Sequence, residues 1–545
     1  IIGAGPAGMQ MAYYLKKNAL DYIVLERNDI GQSFFSKFPI HRRLISINKK
    51  YNLFPEEEFN LRHDWNSLLS DEQDKLSMTD YCDELYPEAD VYAQYLADYA
   101  THNALNIRYN SNVTKIGKDE NGNFDIKLGT GEKYKANILL LATGALRQNM
   151  PEEIEGIELT IPYEDVEHNK EKYRNKRIAI IGGGNSALET ANSLSDTTIF
   201  VHLFVKRKIQ LSHETHFVGH TRAKYTNIFD MFHLKSLHGV LNPRIRKITK
   251  LPNGNLQTQH EYDYPDSKIP GTLKLTREYD YIINCSGFKY THLYVFDEDI
   301  QPEMVMNNKF YALTDTWESV NIKNLYCIGT LMQAIDRKSA SGFIHGYRYN
   351  VRTLSKILLE KYENTPYPFE SVSVNPFKDF LNKLYTRFSI GDGIYQLFSF
   401  LGDKLVYHPE SSCVDWYKEM PVNYITKNLD QNLHTFVLTL DFGFHHYPNK
   451  SSLDFMRPSD PNDTEKAAFL HPIVRHYYKG KMDEFHFGDS LLGRWDMVHA
   501  DGGAIASYHA EFYNWMSTIL GLEEVELTEI GENPDYEIWG KGHHN

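Results

Sequence analysis

Short apolar runs closed by a glycine turn recur through the first 330 residues, and most lead into a stretch with helical spacing. The first unit passes from Ile1-Ile2 through Gly3-Ala4-Gly5-Pro6-Ala7-Gly8 into a helical pattern over 9–17 and a strand over 22–25. The second passes from a strand over 177–181 through Gly182-Gly183-Gly184 into a helix over 185–194 and a strand over 198–205. Three more apolar runs, 138–141, 282–285 and 325–328, end at Thr143-Gly144, Ser286-Gly287 and Gly329-Thr330. Apolar strands alternating with amphipathic helices form parallel sheets in the doubly wound manner.

The pattern changes after about residue 360, where Pro366 and Pro368 mark a linker over 364–368. Beyond it lie helical stretches, many His and aromatic residues, and one strand candidate over 435–440. The expected fold is α/β, with two Rossmann-type dinucleotide-binding domains and a mixed C-terminal extension. The first of these domains covers 1–150 and 291–362, the second is inserted at 151–290, and the extension covers 363–545.

Length supports this division, because 545 residues exceed what one core organises. Hydrophobic residues at 41% and charged residues at 24% are ordinary for a globular chain, and the net charge of -14 argues against a nucleic-acid-coating protein. No apolar stretch approaches the roughly 20 residues of a membrane span. Cys82, Cys285, Cys327 and Cys413 lie far apart without a CxxC, so a dithiol–disulfide reductase is not expected. Cys285 and Cys327 fall inside apolar runs and read as small core residues.

The glycine turns carry the chemistry. Gly3 permits the tight turn, Gly5 lets the backbone approach a pyrophosphate, and Gly8 lets helix and strand pack closely. The helix that follows offers its N–H groups and positive dipole end to the phosphates. Glu26 ends the next strand, where a carboxylate binds ribose hydroxyls. The second turn reads Gly182-x-Gly184-x-x-Ala187, with Asn185 and Ser186 opening its helix. Its following strand ends in Lys206-Arg207-Lys208 rather than an acid, a cluster that would pair with a 2′-phosphate; this favours NADPH over NADH. Two such sites in one chain point to electrons passing between FAD in the first and NADPH in the second.

With both glycine turns, the turn at Thr143-Gly144 and the stretch 95–100 in place, the chain resembles the flavin-containing monooxygenase superfamily. Residues 41–49, 58–69 and 338–346 are similar to a group within it, the endoplasmic-reticulum flavoproteins associated with degradation; weaker likeness extends to 393–398 and 469–472. The resemblance implies FAD contacts at Ala7, Arg27, Gln32, Ser33, Phe34, Val113 and Gly329, with core packing as the alternative for Phe34. It also implies a catalytic Asn48 beside the reactive edge of the flavin, where the amide would support a C4a-hydroperoxide; an ordinary turn asparagine is the alternative. Asp336, Arg337 and Lys338, and a helix starting near Gly342, are further candidates at the flavin.

One departure matters. The FxGxxxH fingerprint of the monooxygenases is missing from residues 160–168. The first reading is therefore an NADPH-oxidising flavoprotein, monooxygenase-like, using molecular oxygen on a small-molecule substrate that is a soft nucleophile or halide. The alternative is a quality-control flavoprotein of the endoplasmic-reticulum lumen that binds non-native protein clients. A bacterial relative would instead be cytoplasmic. His213, His216 and His220 match no standard ligand spacing, and no metal is expected.

Overall fold

The computed structural model describes residues 1–31, 33–145, 147–263, 272–443, 469–490, 492–496 and 505–522. They fall into two compact units: Ile1–Asn48 with Asn66–Arg348, and Lys49–Trp65 with the described residues from Tyr349 onward.

The first unit contains two parallel sheets. In one, Ile2 bridges Leu25 on one side and Leu141 on the other. Val24–Leu25 pairs with Ile107–Arg108, and Leu139–Leu141 pairs with Leu325–Cys327, all parallel. The spatial order is thus 107–108, 24–25, 2, 139–141, 325–327. Val24, Leu25, the three leucines and Leu325–Cys327 are all buried, as continuous apolar runs covered on both faces must be. The helix Pro6–Lys17 starts at Gly5 with proline in its first turn and ends on Lys16 and Lys17, which complement its dipole. An antiparallel meander of Val113–Lys118, Phe124–Leu128 and Lys133–Ala136 adds Ile116, Phe124 and Ile126 to the same core.

The second sheet has the order Gly239–Leu241, Phe200–Phe204, Arg177–Ile181, Tyr281–Asn284, Ile161–Pro162, again parallel throughout. Its helix, Asn185–Leu194, and its first strand, Arg177–Ile181, have the bounds the sequence pattern predicts. The chain enters and leaves this sheet through two short strands, Arg147–Gln148 and Phe288–Lys289, which pair antiparallel. This is the insertion expected from the sequence, a nucleotide-binding domain set between two parts of another.

The second unit holds more strand than its sequence predicts. Instead of one strand it carries six among the described residues, in the antiparallel order Phe369–Ser373, Cys413–Pro421, Leu401–His408, His434–Phe442, Leu470–Tyr478, Lys481–His486. Helices Phe377–Ile390 and Ile505–Leu520 contribute to a core with Leu405, Trp416, Phe436 and Leu438. The extra strands escape a hydrophobic-pattern reading because charges are buried in them. Asp403 and Glu419 stand at core positions and receive Arg387, whose Nε lies 2.7 Å from Asp403 and whose Nη2 lies 3.2 Å from Glu419.

The segment 49–65, expected to belong to the FAD-binding part, gathers with this second unit. Arg62 donates to the Phe388 carbonyl at 2.7 Å and the Gly493 carbonyl at 3.0 Å, and Arg387 pairs with Glu58 at 2.7 Å. Among the described residues no helix is long and apolar enough to cross a membrane.

Candidate functional site: two glycine turns and a buried amide

Each glycine of the first turn has a distinct steric reason. Gly3 has φ +103°, and a Cβ there would stand 2.6 Å from the Ala142 carbonyl oxygen. A Cβ on Gly8 would stand 2.0 Å from the Gly3 carbonyl oxygen. Gly5 is different: among the described residues nothing lies within 4 Å of where its Cβ would be. The open side of Gly5, at a helix N-terminus that no side chain caps, is a place where a pyrophosphate can approach.

Glu26 stands at the end of the strand beside this turn. Its buried carboxylate accepts the Ala4 N–H at 2.9 Å and both the backbone and side-chain N–H of Asn28, at 2.9 and 3.0 Å. The acid is thereby held at the turn with lone pairs left for ribose hydroxyls. Arg27 is exposed beside it.

Val113 and Thr143 line one cavity together with Ile2, Leu141, His292 and Tyr311. Among the described residues the buried Thr143 hydroxyl has no hydrogen-bond partner, an unmet requirement that a ligand would satisfy. His292 is a site residue with no spacing signal in the sequence. Burial, with Arg27 and Arg147 nearby, pushes its pKa down to about 4, so it stands as a neutral imidazole beside two guanidinium groups. Gly329 closes the turn from the far end of the domain. Its φ is +72°, and a Cβ there would stand 2.6 Å from the Cβ of Ala7.

Asn48 is fully buried. Its backbone N–H donates to the Leu85 carbonyl at 2.8 Å, and its side-chain nitrogen faces the Cys82 sulfur at 4.0 Å. Its Oδ1 is buried, with no hydrogen-bond partner among the described residues. An amide in this state is costly unless something meets it. The open Gly5 turn, the Glu26 carboxylate and the unmet Thr143 hydroxyl fit an FAD molecule.

The second turn repeats the first. Gly182 has φ +141°, with a Cβ position 2.5 Å from the Cys285 carbonyl oxygen; Gly184 has nothing within 4 Å; Ala187 is buried in the helix. A Cβ on Gly183 would meet Val205 at 2.6 Å and Ile209 at 3.5 Å, so Lys206, Arg207 and Lys208 leave the strand beside this turn. All three are exposed. Lys206 pairs with Glu153 at 2.9 Å, which holds that carboxyl below its ordinary range. Arg207 and Lys208 enter no ion pair among the described residues.

Other expected residues have local duties. Asn185 donates to the His220 carbonyl and accepts the Arg222 N–H, both at 2.9 Å, fixing the loop that faces the turn. Ser186 stands in the first turn of the helix Asn185–Leu194. Phe34 is 40% exposed and packs on Phe38 with ring centroids 4.9 Å apart. Ser33 opens the short helix Ser33–Lys37, and Gln32 lies outside the described residues. Asp336 is taken up by its own loop, accepting the N–H groups of Lys338 and Ser339 at 3.0 and 3.1 Å and the Ser339 and Ser341 hydroxyls. Cys285 and Cys327 are buried, and burial pushes both thiols well up, away from the reactive thiolate.

Comparison with known proteins agrees with this geometry. The model of the pyridine nucleotide-disulphide oxidoreductase family matches residues 1–329. The protein named FAD-dependent oxidoreductase domain-containing protein 2 from Mus musculus is 31% identical over 508 residues, which cover 88% of this chain and 75% of that one. Its counterpart from Danio rerio is 32% identical over 535 residues with the same shares. A probable indole-3-pyruvate monooxygenase of Arabidopsis thaliana, YUCCA9, is 25% identical over 219 residues, 39% of this chain and 47% of its own.

Proposed function

The chain belongs to the pyridine nucleotide-disulphide oxidoreductase family, and on that premise we propose that it takes electrons from NADPH and delivers them through FAD to molecular oxygen, in monooxygenase-like chemistry. The observation that carries this reading is the basic stretch 206–208 beside the open Gly184 turn, where an acid would mark an NADH site.

The residues divide the work. The open faces of Gly5 and Gly184 admit two pyrophosphates, and Glu26 takes ribose hydroxyls. Arg207 and Lys208 hold the 2′-phosphate. Thr143 donates its hydroxyl proton to, or accepts one from, the cofactor that fills its cavity. Asn48 supplies an amide oxygen as acceptor and an amide N–H as donor in a place closed to water. The flavin, when bound, supplies hydride acceptance and electron transfer to oxygen. A small soft nucleophile is the substrate class that suits such chemistry. The test is flavin reduction by NADPH and NADH compared without oxygen, followed by oxygen uptake and peroxide measured with a library of amines and thioethers. Tight coupling to one compound supports oxygenation.

A second reading is favoured by one observation, the departure from FxGxxxH in residues 160–168. In it the protein serves quality control in the endoplasmic-reticulum lumen, binds non-native protein clients and turns over slowly. Absence of NADPH oxidation in a flavin-loaded protein, with or without amines, selects this alternative.

A further inference from the structure

The hairpin of Met304–Val305 and Phe310–Tyr311 turns through Met306, Asn307 and Asn308, all left-handed, with φ of 55°, 55° and 59°. Asparagine enters that region readily and methionine does not. The turn delivers Lys309 onto a stacked aromatic pair. Phe310 and Tyr290 have ring centroids 4.9 Å apart and planes 25° from parallel, and the Lys309 ammonium lies 5.5 and 5.4 Å from those centroids. A second cation reaches the same ring. The Arg337 guanidinium carbon is 5.8 Å from the Phe310 centroid, and its Nη1 stands 3.6 Å from the Met306 sulfur.

No acid answers these two charges. Among the described residues neither Lys309 nor Arg337 enters an ion pair. Asp336, next to Arg337 in the chain, commits its carboxylate to the N–H groups of Lys338 and Ser339 and to the hydroxyls of Ser339 and Ser341. Like charges gathered at one ring repel, and Lys309 is half-buried, so water screens it less than at an open surface. Burial first, and Arg337 second, push its ammonium below the ordinary lysine range. A ring quadrupole attracts a cation without neutralising it, so the pair stays short of negative charge.

We propose that Lys309 and Arg337 form an anion site for a phosphoryl group, carried by a small phosphorylated ligand or free as inorganic phosphate. A dianion matches the two charges. The Arg337 fork offers paired N–H donors to two of its oxygens, and the Lys309 ammonium adds a point charge at a third. The site lies on the hairpin 304–311 and the loop 335–338, elements that carry neither glycine turn. It stands independently of the function proposed above.

The test is calorimetric titration of inorganic phosphate into the full chain at fixed ionic strength, with FAD and NADP+ in excess to fill the dinucleotide positions. One phosphate per chain is expected. Its affinity should fall at least about tenfold in Lys309→Met and in Arg337→Gln, and hold in Lys133→Met, a change at an exposed lysine of another strand. Without phosphate, Lys309→Met should melt no lower than the unmodified protein, because it removes a repulsion. Phosphate should raise the melting temperature of the unmodified protein and leave both site variants where they were. Arg337 is exposed, so Arg337→Gln carries the comparison should Lys309→Met fail to fold. Equal phosphate affinity in all four proteins, or no uptake by the unmodified one, overturns the site. Uptake seen only when FAD and NADP+ are left out belongs to the dinucleotide positions and overturns it too. Uptake lost in the variants of a chain that takes up no FAD keeps the anion site and removes the flavin reading. A flavin reduced by NADPH in a chain without phosphate uptake does the reverse.

Discussion

Gly329 rests against Ala7 so closely that a single methyl group on it would stand 2.6 Å from the Ala7 Cβ. Those residues are more than 300 positions apart, and their contact brings the turn after the last parallel strand onto the first glycine turn. Gly329→Ala combines this clash with a left-handed φ of +72°. A cost of about 1–3 kcal/mol is expected, seen as a lower melting temperature and a lower flavin-to-protein absorbance ratio after purification.

Gly5 and Gly8 should separate binding from folding. A methyl at Gly8 meets the Gly3 carbonyl oxygen at 2.0 Å, so Gly8→Ala is expected to damage the fold and yield little soluble protein. A methyl at Gly5 meets nothing within 4 Å. Gly5→Ala should therefore leave the melting temperature of the flavin-free protein within about 1 kcal/mol of unchanged while weakening FAD at least about tenfold, measured by flavin titration.

Arg207 and Lys208 carry the cofactor preference. Replacing both with alanine should raise the KM for NADPH by about 10- to 100-fold and leave that for NADH within about twofold, because a charged hydrogen bond to phosphate contributes about 1.5–3 kcal/mol. Steady-state oxidation of both nucleotides checks this.

The first unit is largely legible in the sequence. Its parallel strands are short apolar runs, and the glycine spacing marks both turns to the residue. Less legible is what depends on distant partners. Val113, on the meander, and His292, on the loop after Phe288–Lys289, line one cavity with Thr143, and no spacing places them together. The second unit is harder still, since Asp403, Glu419 and Arg387 put charge where an apolar pattern is sought.

That buried charge network gives the second unit its own acid sensitivity. Burial alone would raise the Glu419 carboxyl, but Arg352 and Arg387 hold it down to about 2. Its folded value lies below the ordinary one, so its stabilisation is present above the ordinary carboxyl range and is lost as pH falls through about 2. Glu419→Gln should cost about 3–5 kcal/mol at neutral pH, by leaving Arg387 and Arg352 short of a buried partner, and should flatten the acid limb of the thermal-unfolding profile.

The account depends on a nicotinamide passing hydride to a flavin held over Gly5 and Asn48. Anaerobic titration of the FAD-supplied protein with NADPH, following the flavin absorption band, tests it most directly. One flavin per chain, bleached by one equivalent of NADPH and far more slowly by NADH, is the predicted result. A protein that stays colourless when given FAD, or a bound flavin that NADPH leaves oxidised, would contradict it.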